Sequence, residues 1–582
     1  MADRWSQRLG EHREDSVWWL RLRLLAALAA VAAVVLRLGW RTPAIESGTL
    51  LTIEVSAIAL YAISMVLPNR LARRSLATLA REQTFETMLI FLAVLLAWWP
   101  PMLTAVAGTL ALHQFLRVYM QMVVRSPSPS WVFLGTFGAL ITMGTLALML
   151  PRATPAGNPI DLIDALFTAT SAVCVTGLIV RDTGADFTQV GQTIILVLIQ
   201  LGGLGIVVFG ALVALAMGSS MGLRASRTFA DTTAEGHARP TTIRTLIAFI
   251  TLLTLGTELV GMVILYIGWP ASWQGAPTMD GRLERAFHAA FFSISSFCNA
   301  GFSTTTNSLE GLRWHWTSQI VVASLVVIGG LGFPVLDNLR AVLRARWTGK
   351  RMDQGALVRL TLHTKLVLIT TASLYLAGVL VIFLGRLTQG GESIGASLLD
   401  AHFMSVTART AGFDTVDPGA MGPLSRIGLI TFMFVGGSPG STAGGVKTIV
   451  FAIIAMTIWA TMHGKSSTEA FGRTIHNDLV RRAATLISLG AGTIAVLTMA
   501  LAATDGAGRP IGDLLFEVVS ASSTVGLTTG ITSELSDAGR LILVTAMFFG
   551  RVGPLVMLVA LASVGARRRP SCEYPTEMVV MS

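Results

Sequence analysis

Runs of about twenty apolar residues recur along nearly all of this 582-residue chain. A helix needs a run of about that length to cross a bilayer core of about 30 Å. Candidate spans are residues 18–37, 49–67, 131–150, 192–217, 245–268, 317–338, 366–385, 426–462, 483–502 and 538–566. Residues 86–124 form a stretch twice as long, interrupted by Trp98-Trp99-Pro100-Pro101. Proline breaks a helix and tryptophan suits the membrane interface, so this stretch reads as a hairpin of two spans. Composition points the same way: 53% of residues are hydrophobic and only 13% are charged, about half the charge of a soluble domain. A disordered chain and a soluble multidomain enzyme are thereby excluded, and the expected class is an all-α membrane protein. Cys174, Cys298 and Cys572 are too few and too scattered for a disulfide framework or a zinc site.

The net charge of +10 would by itself suit an anionic partner such as nucleic acid. Its placement gives a simpler account. Basic segments lie before residue 18, at 68–85, 117–130, 218–244, 339–365 and 463–482, and after 566. With the hairpin counted as two, twelve spans put all of these on one face. Of the 43 Lys and Arg, 29 then fall on that face, 12 on the other, and Lys447 and Arg551 at membrane depth. Lys and Arg accumulate on the cytoplasmic side, so both termini are expected in the cytoplasm and no nucleic-acid partner is called for. The first span has no small-residue cleavage site and is not read as a signal peptide.

The last eight spans contain a fourfold repeat. Each pair is joined by an outer segment of about 40 residues, and these align on one glycine: SAVCVTGL (171–178), SSFCNAGF (295–302), VTARTAGF (406–413) and ASSTVGL (521–527). Phe167, Phe291, Phe403 and Phe516 precede Gly177, Gly301, Gly412 and Gly526 by nine or ten positions. A second block follows on each next span: GGLG at 202, GGLG at 329, GGSPG at 436 and GRVG at 550. Four copies of two blocks predict four units, each an outer helix, a short half-membrane helix with a return loop, and a second long helix. Irregular backbone at membrane depth is tolerated only when buried in protein or lining a watery cavity. Glycine permits the positive φ that turns successive carbonyls toward one axis, and four such loops make a ring of oxygens. Rings of that kind replace the hydration shell of a monovalent cation. For the second block, close helix packing is an equally good explanation.

The repeats, together with GGSPGSTAGGVKT (436–448) and MFFGRVGPL (547–555), resemble the Trk/Ktr/HKT superfamily of potassium transporters, closest to the bacterial Ktr-type (TrkH-like) membrane subunit. The resemblance covers residues 130–566 and implies K+ uptake across the bacterial plasma membrane through a central pseudo-fourfold pore. The expected organisation is an N-terminal transmembrane extension (1–130), repeats at 131–217, 245–341, 366–462 and 483–566, and a cytoplasmic tail (567–582). The expected selectivity filter comprises Val175, Thr176 and Gly177; Asn299, Ala300 and Gly301; Thr410, Ala411 and Gly412; and Thr524, Val525 and Gly526. With one glycine per strand, discrimination against Na+ is expected to be looser than in TVGYG-type filters.

In the third repeat the long apolar span is interrupted by Gly436, Gly437, Ser438, Pro439, Gly440, Ser441, Thr442, Ala443, Gly444 and Gly445, which no helix interior would retain. By resemblance this is an intramembrane gate. Its spacing imitates a phosphate loop, but no strand precedes it and the Gly-Lys-Ser/Thr junction is missing, so nucleotide binding there is rejected. Arg551, ionisable at membrane depth, is by resemblance an electrostatic barrier beneath the filter, or else a structural partner for Glu258. Lys447 either tethers the gate or extends toward the cytoplasm. Arg409 is expected behind the filter, paired with Glu517. His288 and His402 are expected to hydrogen-bond locally, and Cys174 and Cys298 to be buried fillers.

No HExxH or paired membrane aspartates occur, and the GxSxG string at 436–440 lies in the broken span with no strand before it, so an enzyme is not expected. The alternatives are the potassium-binding subunit of an ATP-driven pump or another monovalent-cation transporter. No covalent cofactor is foreseen; K+ is the expected ion at the filter residues, with Na+ as a second transported or coupling ion. Besides membrane lipid, the resemblance implies a homodimer and a cytoplasmic ATP- or ADP-binding regulatory subunit of TrkA/KtrA type. The basic loop from Arg340 to Arg351 offers a docking surface, or serves only to set topology.

Overall fold

The computed structural model describes residues 2–41, 47–71, 84–95, 99–125, 129–218, 243–269, 281–348, 359–390 and 393–553. Cys572, the tail after residue 566 and the end of the basic loop at Lys350 and Arg351 lie outside them. The described residues form helices almost throughout, with one two-residue antiparallel hairpin, β1 (Glu469–Ala470) and β2 (Arg473–Thr474).

Four helices come first: α1 (Ala2–Gly39), α2 (Ser47–Leu71), α3 (Thr84–Leu95) and α4 (Pro100–Arg125). The paired prolines open α4, where a missing N–H costs nothing, and so separate the two arms of the 86–124 hairpin. The four helices share a core of Ala26, Ala30, Ala57, Ala107 and Ala111 with Tyr61, Leu103 and Leu110. Alanines let helix backbones approach closely, which replaces the hydrophobic driving force missing in lipid. Polar links cross this core: Arg37 to Glu54 at 3.2 Å, Thr104 Oγ1 to Glu54 at 3.0 Å, and Tyr61 OH to Gln114 at 3.3 Å.

The repeats follow. The first has α5 (Pro129–Leu148), short helix α6 (Leu162–Cys174) and α7 (Gln189–Gly218); the second has α8 (Ile243–Gly268), α9 (Arg282–Cys298), α10 (Trp316–Leu331) and α11 (Phe333–Thr348). The third has α12 (Leu362–Gln389), α13 (Ile394–Thr407), α14 (Pro423–Phe434) and α15 (Thr448–Met462), and the fourth α16 (Asn477–Asp505), α17 (Ile511–Ser522) and α18 (Asp537–Val552). Within each repeat the short helix packs against the long helices. Between repeats α7 meets α9, α10 meets α13, α14 meets α17, and α18 returns to α6, so the four units close into a circle. Phe167, Phe291, Phe403 and Phe516 are buried to 1% exposure or less, which explains why an aromatic recurs at that position.

One expectation is corrected. Residues 317–338 do not form one straight span: the helix ends at Leu331 and resumes at Phe333 after a bend of 99°. Gly332 takes φ +87° at the break, and Pro334 then stands in the first turn of α11, where proline is tolerated but cannot continue a preceding helix.

Candidate functional site

Each short helix ends in the same backbone figure. Val175, Asn299, Thr410 and Thr524, two residues before the aligned glycines, have φ between 51° and 71°, and Gly177, Gly301, Gly412 and Gly526 have φ between 70° and 96°. The left-handed region is costly for a β-branched residue such as Val175, Thr410 or Thr524 and persists only where its surroundings impose it. The four segments then meet. A Cβ added to Gly177 would lie 2.5 Å from the Ala300 carbonyl oxygen, and one on Gly301 would lie 2.8 Å from that of Ala411. One on Gly412 would collide with the Val525 oxygen, and one on Gly526 with the Thr176 oxygen. Each glycine thus abuts the carbonyl preceding the next repeat's glycine, in the order one, two, three, four and back to one. All twelve residues foreseen for the strands are brought together in this ring.

Hydroxyls on the short helices hold the strands, and these residues were not singled out from the sequence. In repeats one and four the glycine N–H donates to a serine: Gly177 to Ser171 Oγ and Gly526 to Ser520 Oγ, both at 3.1 Å. In repeats two and three the hydroxyl donates to the carbonyl after the glycine: Ser295 to Phe302 at 2.8 Å and Thr407 to Phe413 at 2.5 Å. A hydroxyl residue five or six positions before each aligned glycine was the available signal.

The break in the third repeat lies between α14 and α15. Its ends are joined by a parallel bridge between Val435 and Val446, and its interior is stitched to other repeats. Ser438 N donates to Gly330 O at 3.1 Å, Thr442 N to Gly329 O at 3.3 Å, and Phe333 N to Gly440 O at 3.0 Å. The Ser438 hydroxyl donates to the carbonyls of Gly330 and Leu331. The bend that ends α10 therefore frees carbonyls that the 436–445 loop satisfies. The loop also lies against the start of the fourth strand: a Cβ on Gly444 would collide with Thr524 Oγ1, and one on Gly445 would lie 3.4 Å from Ser523 O.

Three cations converge on this loop. Arg551 is 4% exposed and donates to the Thr442 carbonyl of the loop and to Gly202 O on α7 at 2.8 Å. Its alternative partner Glu258 instead accepts from Gln200 at 3.2 Å. Lys447 Nζ donates to Ala443 O at 2.7 Å, which is the tethering geometry. Arg409 does not pair with Glu517: it donates to Thr371 O at 3.4 Å and to Gly436 O at 3.2 Å. The broken loop offers the Gly436 carbonyl close by and α12 the Thr371 carbonyl, and a guanidinium with five donors takes both in place of a carboxylate on another helix. Glu517 accepts from threonines of its own repeat.

The second-block glycines are packing positions. A Cβ on Gly202, Gly329 or Gly550 would collide with the carbonyl of Val173, Phe297 or Ser522, at the ends of the short helices. His288 Nδ1 is 2.6 Å from Thr304 Oγ1 and His402 Nδ1 is 2.7 Å from Tyr375 OH, while Cys174 and Cys298 are free and buried. Two residues beyond Gly412, burial pushes the Asp414 carboxyl up to about 7, opposed by a Ser308 hydrogen bond and reinforced by Glu310 and Asp417.

The family profile of TrkH, a cation transport protein, matches residues 105–565. The chain belongs to the TrkH family. The chain is 34% identical over 458 residues to Ktr system potassium uptake protein B of Bacillus subtilis, covering 78% of this chain and 96% of that one. It is 31% identical over 475 residues to potassium/sodium uptake protein NtpJ of Enterococcus hirae, covering 80% and 100%. Its fold is similar to that of the potassium transporter TrkH from Vibrio parahaemolyticus, with a TM-score of 0.59, 17% identity, and coverage of 90% of this chain and 100% of that one. As a TrkH-family chain it is a multi-pass membrane cation transporter and not an enzyme.

Proposed function

We propose that this chain is the translocating subunit of a potassium uptake system, passing K+ down its electrochemical gradient through the ring of Val175–Gly177, Asn299–Gly301, Thr410–Gly412 and Thr524–Gly526. The observation that carries this reading is the closed circle in which four positive-φ glycines each abut the next repeat's carbonyl. Backbone oxygens so arranged can substitute for the water around a monovalent cation. The relatives' names as potassium and potassium/sodium uptake proteins support K+ as cargo and Na+ as the second ion to test. Loop 436–445 is the gate in this reading, held shut by Arg551 and Lys447, whose charge also opposes a cation at that depth. Its contacts with the start of the fourth strand support that role.

The same reading places the chain in the bacterial inner membrane with both termini cytoplasmic, supported by the basic bias of one set of loops. It acts as a homodimer with a cytoplasmic ATP- or ADP-binding subunit of TrkA/KtrA type. The resemblance to a protein of a Ktr system supports such a partner. The arm α11, with Arg340, Arg344, Arg346 and an exposed Trp347, is the proposed docking surface.

The test is K+ uptake into cells stripped of their own uptake systems, with and without Na+, for the native chain and Gly301→Ser. The native chain restores uptake. Gly301→Ser, whose side chain would enter the ring, lowers K+ uptake at least tenfold and weakens discrimination against Na+. No ion-dependent difference in either comparison overturns the reading.

A further inference from the structure

The position after each recurring phenylalanine is Thr168, Phe292 and Met404 in the first three repeats, and Glu517 in the fourth. Glu517 is fully buried. A carboxylate out of contact with water requires compensation, and here every donor comes from the chain just beyond Gly526. Thr528 Oγ1 donates to Glu517 Oε1 at 2.6 Å, Thr529 N at 3.0 Å and Thr529 Oγ1 at 3.4 Å, while Thr532 Oγ1 donates to Oε2 at 2.6 Å. Gly530, with φ +97°, turns the chain so that Thr532 comes back to the same carboxylate, and its N–H donates to Thr528 Oγ1 at 2.9 Å. Among the described residues no Lys or Arg forms an ion pair with Glu517. It is neither a salt-bridge partner nor exposed to the ion path; it is a bracket from the short helix to the strand that leaves the ring.

We propose that Glu517 is a positioning residue for the fourth strand and sets how well the ring discriminates K+ from Na+. The inference rests on the reading of the ring as the cation filter. Thr528 is two residues from Gly526, and Gly526 abuts the Thr176 carbonyl, so any slack in the bracket reaches the carbonyls at the centre. K+ and Na+ differ in radius by only a few tenths of an ångström, and carbonyl positions or field strength must be held to match. The strand is pinned twice, by Ser520 before the glycine and by Glu517 after it. Buried networks in which every group is satisfied are the ones that impose a single geometry.

The test compares K+ and Na+ uptake by the full chain and by Glu517→Leu, Glu517→Gln and Thr532→Val, in cells lacking their own K+ uptake, at matched membrane levels. Leucine orphans four donor contacts, and the K+/Na+ uptake ratio falls about tenfold. Thr532→Val removes one of the two shortest contacts and lowers the ratio to an intermediate value. Glutamine keeps an acceptor for Thr528 and Thr529 and can donate to a turned Thr532 hydroxyl, so its ratio stays within about twofold of native. An unchanged ratio in both Glu517→Leu and Thr532→Val overturns the proposal, as does a loss in Glu517→Gln equal to that in Glu517→Leu, which would assign the effect to charge. If Glu517→Leu does not reach the membrane, Thr532→Val and Glu517→Gln decide by the same ratio. Absence of K+ uptake by the native chain overturns the filter reading itself, and this inference with it.

Discussion

Arg551 shows what a single side chain does at membrane depth. Its guanidinium joins the Thr442 carbonyl of the broken loop to Gly202 O on α7, a helix of another repeat. Arg551→Ala removes the link and the charge together. It is expected to raise K+ flux about tenfold at equal expression, since hydrogen bonds to charged groups are each worth about 1.5–3 kcal/mol; equal or lower flux refutes the gating role. Asp414 lies two residues beyond Gly412, and in the proposed reading it faces incoming cations. Because burial and two neighbouring carboxylates push its carboxyl up to about 7, it is neutral below that pH and negative above it. K+ uptake at low external K+ should therefore rise about twofold between pH 6 and pH 8 through the added attraction, and Asp414→Asn should flatten that rise when the same uptake is measured.

Among the elements, the bend between α10 and α11 has the widest consequence. A straight helix would satisfy the carbonyls of Gly329, Gly330 and Leu331 internally; broken at Gly332, it offers them to the 436–445 loop. Two interruptions, each costly in isolation, compensate each other. Ser438→Ala deletes the hydroxyl donated to Gly330 and Leu331. At about 1 kcal/mol per bond, resting K+ flux is expected to increase about fivefold. Unchanged flux would mean that the backbone bonds alone hold the loop. The α10 break was legible only in part. Gly329, Gly330, Gly332 and Pro334 are plain in the sequence, but a GGLG block without a break occurs at 202, where α7 runs on to Gly218. Proline two positions after the last glycine distinguishes the two blocks, and its effect depends on a neighbouring loop being present to receive the freed carbonyls.

For the whole molecule, the first four helices form a core of their own held by alanines and buried polar pairs. Glu54 is fully buried against Arg37 and Thr104. Removing one member of a buried pair leaves the other charge uncompensated, at a cost of about 3–5 kcal/mol, whereas replacing both by apolar groups is often neutral. Glu54→Leu should therefore lower the thermal unfolding temperature of the purified protein, and Glu54→Leu with Arg37→Leu should recover most of it. Equal losses in both would show that the pair contributes only through packing. The all-helical membrane class and the family were legible in the sequence, and the four segments aligned on one glycine do take one backbone figure. Each rests on a local rule that a single segment obeys: the length of a lipid crossing and the φ available to glycine. Partner choice was not legible. Arg409, just after α13, and Glu517, on α17, have opposite charges in successive repeats, yet each bonds elsewhere. The nearest free carbonyl and the nearest free hydroxyl are set by where helices end and loops return, and those places exist only once the four repeats have closed into a circle.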